Sequence, residues 1–96
     1  MDIQAQIERA GFPPGVQVSS YTEPDLNVGG TVFRIMRREA GVKYGLEIVL
    51  TAEAIERYGE GPTIATVLHE LRRHAEEGLP AVEPGQEYER LVFTGD

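Results

Sequence analysis

The 96-residue chain contains no cysteine and no tryptophan, and it has no long apolar run. Without cysteine it can form no disulfide, no thiolate metal site and no thiol nucleophile, which suits a reducing compartment. A membrane-spanning helix needs about 20 mostly apolar residues, and a signal peptide needs a basic start followed by an apolar segment. The N-terminal sequence MDIQAQIERAG offers neither, so we expect a cytoplasmic protein without a membrane partner.

Basic residues are also scarce: nine Lys and Arg stand against 16 Asp and Glu, which gives a net charge of −7. An acidic body repels nucleic acid and anionic membranes over long range, so neither is expected as a general partner. Four of the nine basic residues nevertheless fall within residues 31–46, beside the single acid Glu39; they are Arg34, Arg37, Arg38 and Lys43. This local positive charge can act over distances within a Debye length.

The length and composition predict one folded domain. With 41% hydrophobic and 26% charged residues, the chain lies near the average for globular proteins, and bulk disorder is not expected. A chain of this length can build a single hydrophobic core but not two. We therefore expect residues 1–96 to form a single domain.

The clearest structural signal is a pair of alternating runs at residues 32–38 and 43–50. Alternation of apolar and polar positions is typical of strands with one buried face. Phe33 in the first run and Ile48 in the second lie on the apolar face of their run. The pattern predicts a β-hairpin that buries this face.

The turn of this hairpin has two possible forms. A two-residue turn at 40–41 would pair Arg34 with Glu47 and would set Arg38 against Lys43. That like-charge pair could instead favour a longer loop with Gly41 in the left-handed region. The longer loop shifts the partners by two residues and leaves the faces of the strands unchanged.

The rest of the chain supplies the other elements of the predicted fold. It predicts, in order, a helix over 2–10 ending at Gly11, an edge strand over 16–22, a loop over 23–30, a helix capped by Thr51 and ended by Gly59, a helix from Pro62 to Gly78, and a last strand over 87–94. Apolar residues on both faces of the last strand favour a central or partly covered position. The order αβββααβ predicts an α+β domain with a mostly antiparallel sheet of about four strands and helices packed on one face. The strand order is left open.

Three motifs fall short of a metal or cofactor site. In HELRRH at 69–74 the histidines stand five apart, not four as in the zinc-peptidase signature, so an undistorted helix holds the rings about 140° apart. Residues 25–30 have the opening of a calcium loop, but the twelfth position is Met36 in place of glutamate. The glycines at 59–61 lack the lysine of a phosphate loop. We predict no metal and no cofactor.

Catalytic patterns are equally weak. Ser19 and Ser20 lie in a predicted strand, with no histidine placed near them by the sequence. The many carboxylates are those of a solvated acidic surface. We therefore expect no enzyme activity, and a cleft lined by His74 or by paired carboxylates is the observation that would favour one.

Five residues near the predicted hairpin form the candidate binding set: Arg34, Arg37, Arg38, Lys43 and Tyr44. The leading hypothesis is a small non-enzymatic protein-binding or regulatory module, which we expect to form a homodimer because an edge strand needs cover. One alternative is a nucleic-acid-binding protein that uses the basic hairpin at 31–46, with an aromatic ring for stacking. Another is an acidic inhibitor whose carboxylates occupy a basic groove of another protein.

Overall fold

The computed structural model describes residues 3–22 and 30–93. The predicted loop at 23–30 and the calcium-like segment therefore lie outside the described residues, apart from Gly30. The elements in chain order are α1 (Ile3–Ala10), β1 (Val16–Thr22), β2 (Gly30–Glu39), β3 (Val42–Thr51), α2 (Ala52–Tyr58), α3 (Glu60–Glu77), β4 (Ala81–Val82) and β5 (Glu89–Phe93).

The central hairpin of β2 and β3 has the two-residue turn. Ala40 and Gly41 both have positive φ, at 52° and 78°, as the two central residues of a type I′ turn require. The register pairs Arg34 with Glu47 and sets Arg38 directly against Lys43. The longer loop is therefore wrong, and the hairpin accepts a like-charge pair beside its turn.

The hairpin lies at the centre of a mixed sheet. β1 pairs antiparallel with β2 and forms one edge, as predicted. On the other side of β3, β4 pairs antiparallel with its start and β5 pairs parallel with the rest. A parallel neighbour needs a long crossover, and the helical segment between β3 and β5 provides it.

The prediction of a central or covered last strand is wrong. β5 has a partner on one side only among the described residues, and most of it is exposed. Its side chains continue the two faces of the sheet: Phe93 packs against the core, and Val92 lies beside Val49 on the opposite face. The apolar residues on both faces of β5 therefore belong to an edge strand, which extends the core face and the opposite face of the sheet.

The helices begin and end largely where the sequence predicts. The Thr51 hydroxyl accepts the N–H of Ala54 at 3.2 Å and caps α2. α3 begins at Glu60, two residues before the predicted start at Pro62. Proline is tolerated at this third position because the first N–H groups of a helix have no partner within it.

All three helices contribute to a core on one face of the sheet, which confirms the predicted single α+β domain. The buried cluster consists of Ile7, Phe33, Ile35, Leu46, Ile48, Leu50, Ala54, Ile64, Val67, Leu68, Leu71 and Leu79. Burial of each large side chain in such a cluster contributes about 1.5–3 kcal/mol to stability. The opposite face of the sheet, which we call the open face, carries the chemistry described next.

Candidate functional site

The open face changes character along the β2–β3 hairpin. Near the end of β3 it is apolar, and Val32 and Val49 pair there in full burial. Toward the turn it becomes polar, because the alternating positions that face away from the core are occupied by Arg34, Arg38 and Glu47, among others. Two groups of charged side chains result, one in mid-hairpin and one beside the turn.

The mid-hairpin group is centred on Glu47, which is only 3% exposed. The Tyr21 hydroxyl donates to Glu47 Oε2 at 2.7 Å, and Arg34 Nε donates to the same oxygen at 2.8 Å. Arg90 Nη2 donates to the other oxygen, Oε1, at 3.0 Å. We call these four residues, Tyr21, Arg34, Glu47 and Arg90, the Glu47 network; they come from β1, β2, β3 and β5.

The network favours the charged forms of Glu47 and Arg34 and the neutral form of the Tyr21 hydroxyl. Burial by itself raises the pKa of the Glu47 carboxyl, but hydrogen bonds from its three partners outweigh burial and lower the pKa below its usual value. Burial also opposes the charge on Arg34, yet its bonds to Glu47 raise the pKa of the guanidinium overall. Burial and the bond to Glu47 together raise the pKa of the Tyr21 hydroxyl. One buried carboxylate therefore holds two arginines in place.

Tyr88 connects this network to the turn. The Arg34 guanidinium lies 4.5 Å from the centroid of the Tyr88 ring, and Lys43 Nζ lies 4.8 Å from it. The ring covers Gly45: a Cβ there would come within 2.7 Å of Tyr88 Cε1 and within 2.5 Å of the Ile35 carbonyl oxygen. A glycine in mid-strand thus makes room for an aromatic ring on the sheet backbone.

The group beside the turn is the like-charge pair Arg38 and Lys43. Opposed like charges destabilise a hairpin, and the described part of the chain brings no carboxylate within ion-pair distance of either. Arg34 also retains unused donor capacity, because Nη1 has no acceptor among the described residues while its other nitrogens bond to Glu47 and Tyr21. Positive charge therefore remains available on this part of the face.

The predicted binding set is divided between the two faces of the hairpin. Arg34, Arg38 and Lys43 lie on the open face, whereas Arg37 and Tyr44 lie on the helix-covered side. There the Arg37 guanidinium lies 5.0 Å from the Tyr44 ring centroid and 3.5 Å from the Glu39 carboxylate. Arg37 therefore contacts Tyr44 and Glu39. Neither Arg37 nor Tyr44 lies with the open-face cations.

Two shallow clefts are lined by the open-face cations. One, of about 450 Å³, is lined by the Glu47 network together with Glu87 and Tyr88. The other, of about 490 Å³, lies beside the turn and is lined by Arg38, Lys43 and Glu83, among others. Both clefts therefore combine cations with a carboxylate.

A cleft lined by His74, which would favour an enzyme, is present between α3 and β5. Glu70 and Thr66 line it as well. Glu70 accepts a bond from Arg73 Nη2 at 2.6 Å, which lowers the pKa of its carboxyl, and the Thr66 hydroxyl donates to the Pro62 carbonyl at 3.0 Å. No hydrogen bond joins either group to His74 in the described part of the chain, so the pairing of acid and base that catalysis needs is not formed there.

Residues 3–22 and 30–93 contain neither a cluster of metal ligands nor a helix that could span a membrane. Within these ranges no three His, Asp or Glu side chains gather as ligands for an ion. No helix there combines the length and the apolar character needed to span a bilayer.

Sequence reasoning missed three members of the site: Tyr21, Tyr88 and Arg90. The pairing of Arg34 with Glu47 was predicted from the hairpin register, but β1 and β5 reach Glu47 only through the strand order, which the sequence leaves open. One local signal was available. Gly45 interrupts a strand of large residues, and such a glycine often marks the close approach of another group.

The two edges of the sheet differ in charge. β5 has five residues and includes Glu89 and Arg90, while β4 has only two residues. β1 is longer, with seven residues, and its sequence VQVSSYT contains no charged residue and no proline. Charges, prolines and short length are the usual protections of an exposed edge, and β1 has none of them.

Comparison of the chain with models of known protein families gives no match, and comparison with curated proteins and with solved structures gives no significant one.

Proposed function

We propose that the protein is a small, non-enzymatic protein-binding module, and that a second copy of the same chain binds the outer edge of β1. The observation that carries this proposal is the uncharged seven-residue edge of β1. The outward N–H and C=O groups of such a strand can bond to a further strand. As part of the same proposal, the module acts in the cytoplasm, and the cysteine-free composition is compatible with that reducing compartment.

A second copy suits this edge because self-pairing opposes no charges. Antiparallel pairing of two β1 strands about a twofold axis at Ser19 aligns all seven residues of each strand. It sets Val18 against Ser20 and Gln17 against Tyr21 of the other copy, with each face of the sheet continued across the interface. An isologous contact of this kind closes after two chains, so it yields a dimer and not a fibre.

The nucleic-acid alternative receives less support from the contacts. A ribbon that enters a groove presents one face, and the open face carries only three members of the predicted binding set.

The inhibitor alternative needs carboxylates that are available to a partner. On α3, however, Glu76 and Glu77 each pair with an arginine one turn before. These pairs reduce the acidic charge that α3 offers to a basic groove.

The test is the mass of the protein in solution, measured by size-exclusion chromatography with light scattering. We expect wild-type protein to be a dimer. Ser19→Lys and Ser19→Glu should each give monomers, because Ser19 is exposed and each variant sets two like charges against each other at the axis. An equimolar mixture of the two variants should restore a dimer, since opposite charges then meet.

Ala65→Lys, on the exposed surface of α3, is the matched control and should remain dimeric. A monomeric wild-type protein would overturn the proposal, as would a Ser19→Lys variant that remains dimeric. Circular dichroism spectra of all variants should match the wild-type spectrum, which excludes unfolding as the cause of dissociation.

A further inference from the structure

We propose that the open-face cations of the β2–β3 hairpin, together with Tyr88, form a binding site for a short acidic segment of a partner protein. The site consists of Arg34, Arg38, Lys43 and Tyr88, and we call it the Tyr88 site. It lies on the open face, and its cations come from β2 and β3 rather than from β1, so it does not depend on the proposed dimer.

The first argument is geometric. Arg34 and Lys43 each lie within 5 Å of the centroid of one aromatic ring, so their charged groups are less than 10 Å apart. The Tyr88 ring is itself held in position, because it lies directly on the backbone at Gly45. Two cations held at this distance can bind neighbouring carboxylates of one extended peptide without large rearrangement.

The second argument concerns unused charge. Arg38 and Lys43 oppose each other with no carboxylate at ion-pair distance among the described residues. An anion bound between them would relieve a repulsion that the isolated hairpin must tolerate. Arg34 Nη1 adds a donor that the Glu47 network does not use.

The third argument selects a peptide over a nucleic acid. Glu87 lines the cleft that contains Tyr88, and Glu83 lines the cleft beside the turn that contains Arg38 and Lys43, within a chain of net charge −7. A nucleic-acid strand carries one phosphate about every 3.4 Å, and its charges would extend past the cations onto these acids. A short peptide can end or change composition at this border. Tyrosine and arginine are also enriched among the residues that dominate protein interfaces.

The experiment is isothermal titration calorimetry at low ionic strength with capped hexaglutamate as the probe. We expect hexaglutamate to bind, and hexaglutamine of the same length and capping to bind at least about tenfold more weakly, because the charge-assisted hydrogen bonds are lost. Hexathymidylate, a phosphate polyanion of similar length, should bind more weakly than hexaglutamate. Equal binding of the two peptides, or tighter binding of the nucleotide, would overturn the proposal.

Variants locate the site. The double variant Arg38→Gln with Lys43→Gln should weaken hexaglutamate binding at least about tenfold, and it should be no less stable than wild type because it removes a repulsion. Arg57→Gln makes a single charge change of the same sign on α2 and should leave binding nearly unchanged. Binding that survives the double variant would show that the peptide lies elsewhere.

Tyr88 is a positioning residue, and its variants separate its role from that of the charges. Tyr88→Phe keeps the ring and should retain hexaglutamate binding within about twofold, whereas Tyr88→Ala releases Arg34 and Lys43 and should weaken it several-fold. Equal affinity of both variants would overturn this assignment. The Arg38→Gln, Lys43→Gln double variant should have the same mass in solution as the wild type, because neither residue pairs with β1, so failure of the dimer proposal and failure of this one are distinguishable.

Discussion

Two cross-strand pairs on the open face, four residues apart along β2, differ in the charges that they bring together. Arg34 and Glu47 have opposite charges, and the strands on both sides reach in, so that Tyr21 and Arg90 complete the hydrogen bonding of a buried carboxylate. Arg38 and Lys43 have like charges and lack a carboxylate partner in the described part of the chain. The first arrangement serves stability, and the second lowers stability while leaving charge available for a ligand.

The largest effect on stability is expected at the pair of Arg34 and Glu47. Glu47→Gln leaves two arginines without their shared carboxylate and should lower the free energy of unfolding by about 2 kcal/mol. This is less than for a fully buried pair, since both guanidiniums are about one-third exposed and can reach water. Urea denaturation measures the loss. Glu77→Gln breaks an exposed pair on α3 and should change the free energy of unfolding far less. Equal losses in the two variants would remove the contrast between buried and exposed pairs.

The pH dependence of stability tests the same pair. The pKa of Glu47 is lower in the folded protein than its ordinary value of 4.5, so the unfolded chain binds the proton more readily. The contribution of Glu47 is therefore fully present above about pH 4.5 and is lost as the pH falls through the folded-state pKa. The difference in unfolding free energy between wild type and Glu47→Gln should stay constant down to about pH 4.5 and should shrink as the pH falls further. A difference that persists at low pH would contradict the charged state of Glu47.

Between the two pairs, Gly45→Ala should cost about 2 kcal/mol, because the new Cβ would collide with the Ile35 carbonyl and the Tyr88 ring. Thermal or urea denaturation measures the loss. In a Tyr88→Ala background the cost should fall, since one of the two collisions is gone, although the carbonyl remains. The same cost in both backgrounds would show that Tyr88 does not press on Gly45.

At the turn, Ala40 has a φ of 52°, a region that asparagine adopts more readily than alanine. Ala40→Asn creates an Asn-Gly type I′ turn and should stabilise the protein by about 0.5–1 kcal/mol. Ala40→Val has higher β propensity but a branched Cβ, and it should destabilise. Chemical denaturation of both variants measures the effect. An Ala40→Val variant as stable as the wild type would contradict the positive φ at position 40.

The smallest effect is expected at the like-charge pair. Arg38→Glu and Lys43→Glu should each stabilise the hairpin by about 0.5 kcal/mol at low salt, because each creates an opposite-charge pair. The double variant restores like charges and should lose the gain, which separates the pairwise interaction from the individual substitutions. High salt should reduce all three differences. Single variants that gain nothing would show that the tip tolerates its repulsion without cost.

Local pattern was sufficient for much of the fold. The alternation around Phe33 and Ile48 predicted the hairpin and its buried face, and the face of each cation in the binding set followed from it. The Thr51 cap and the glycine at 59 predicted the helix boundaries, because these residues act on backbone groups within a few positions. The two-residue turn was one of two options, and the repulsion between Arg38 and Lys43 was too weak to exclude it.

The amino-acid sequence by itself determined the three helices, the four longer strands, the two faces of the hairpin and the pairing of Arg34 with Glu47, because these depend on residues that are near in the chain or aligned by one turn. The two-residue strand β4 was not predicted. Tertiary structure alone decided that β5 runs parallel to β3 at the sheet edge, which brings Arg90 to Glu47 and Tyr88 over Gly45. Such contacts depend on strand order and crossover, and these are set by the packing of the helices on the sheet as a whole. The site on the open face is therefore visible only when all four strands around Glu47 are in place.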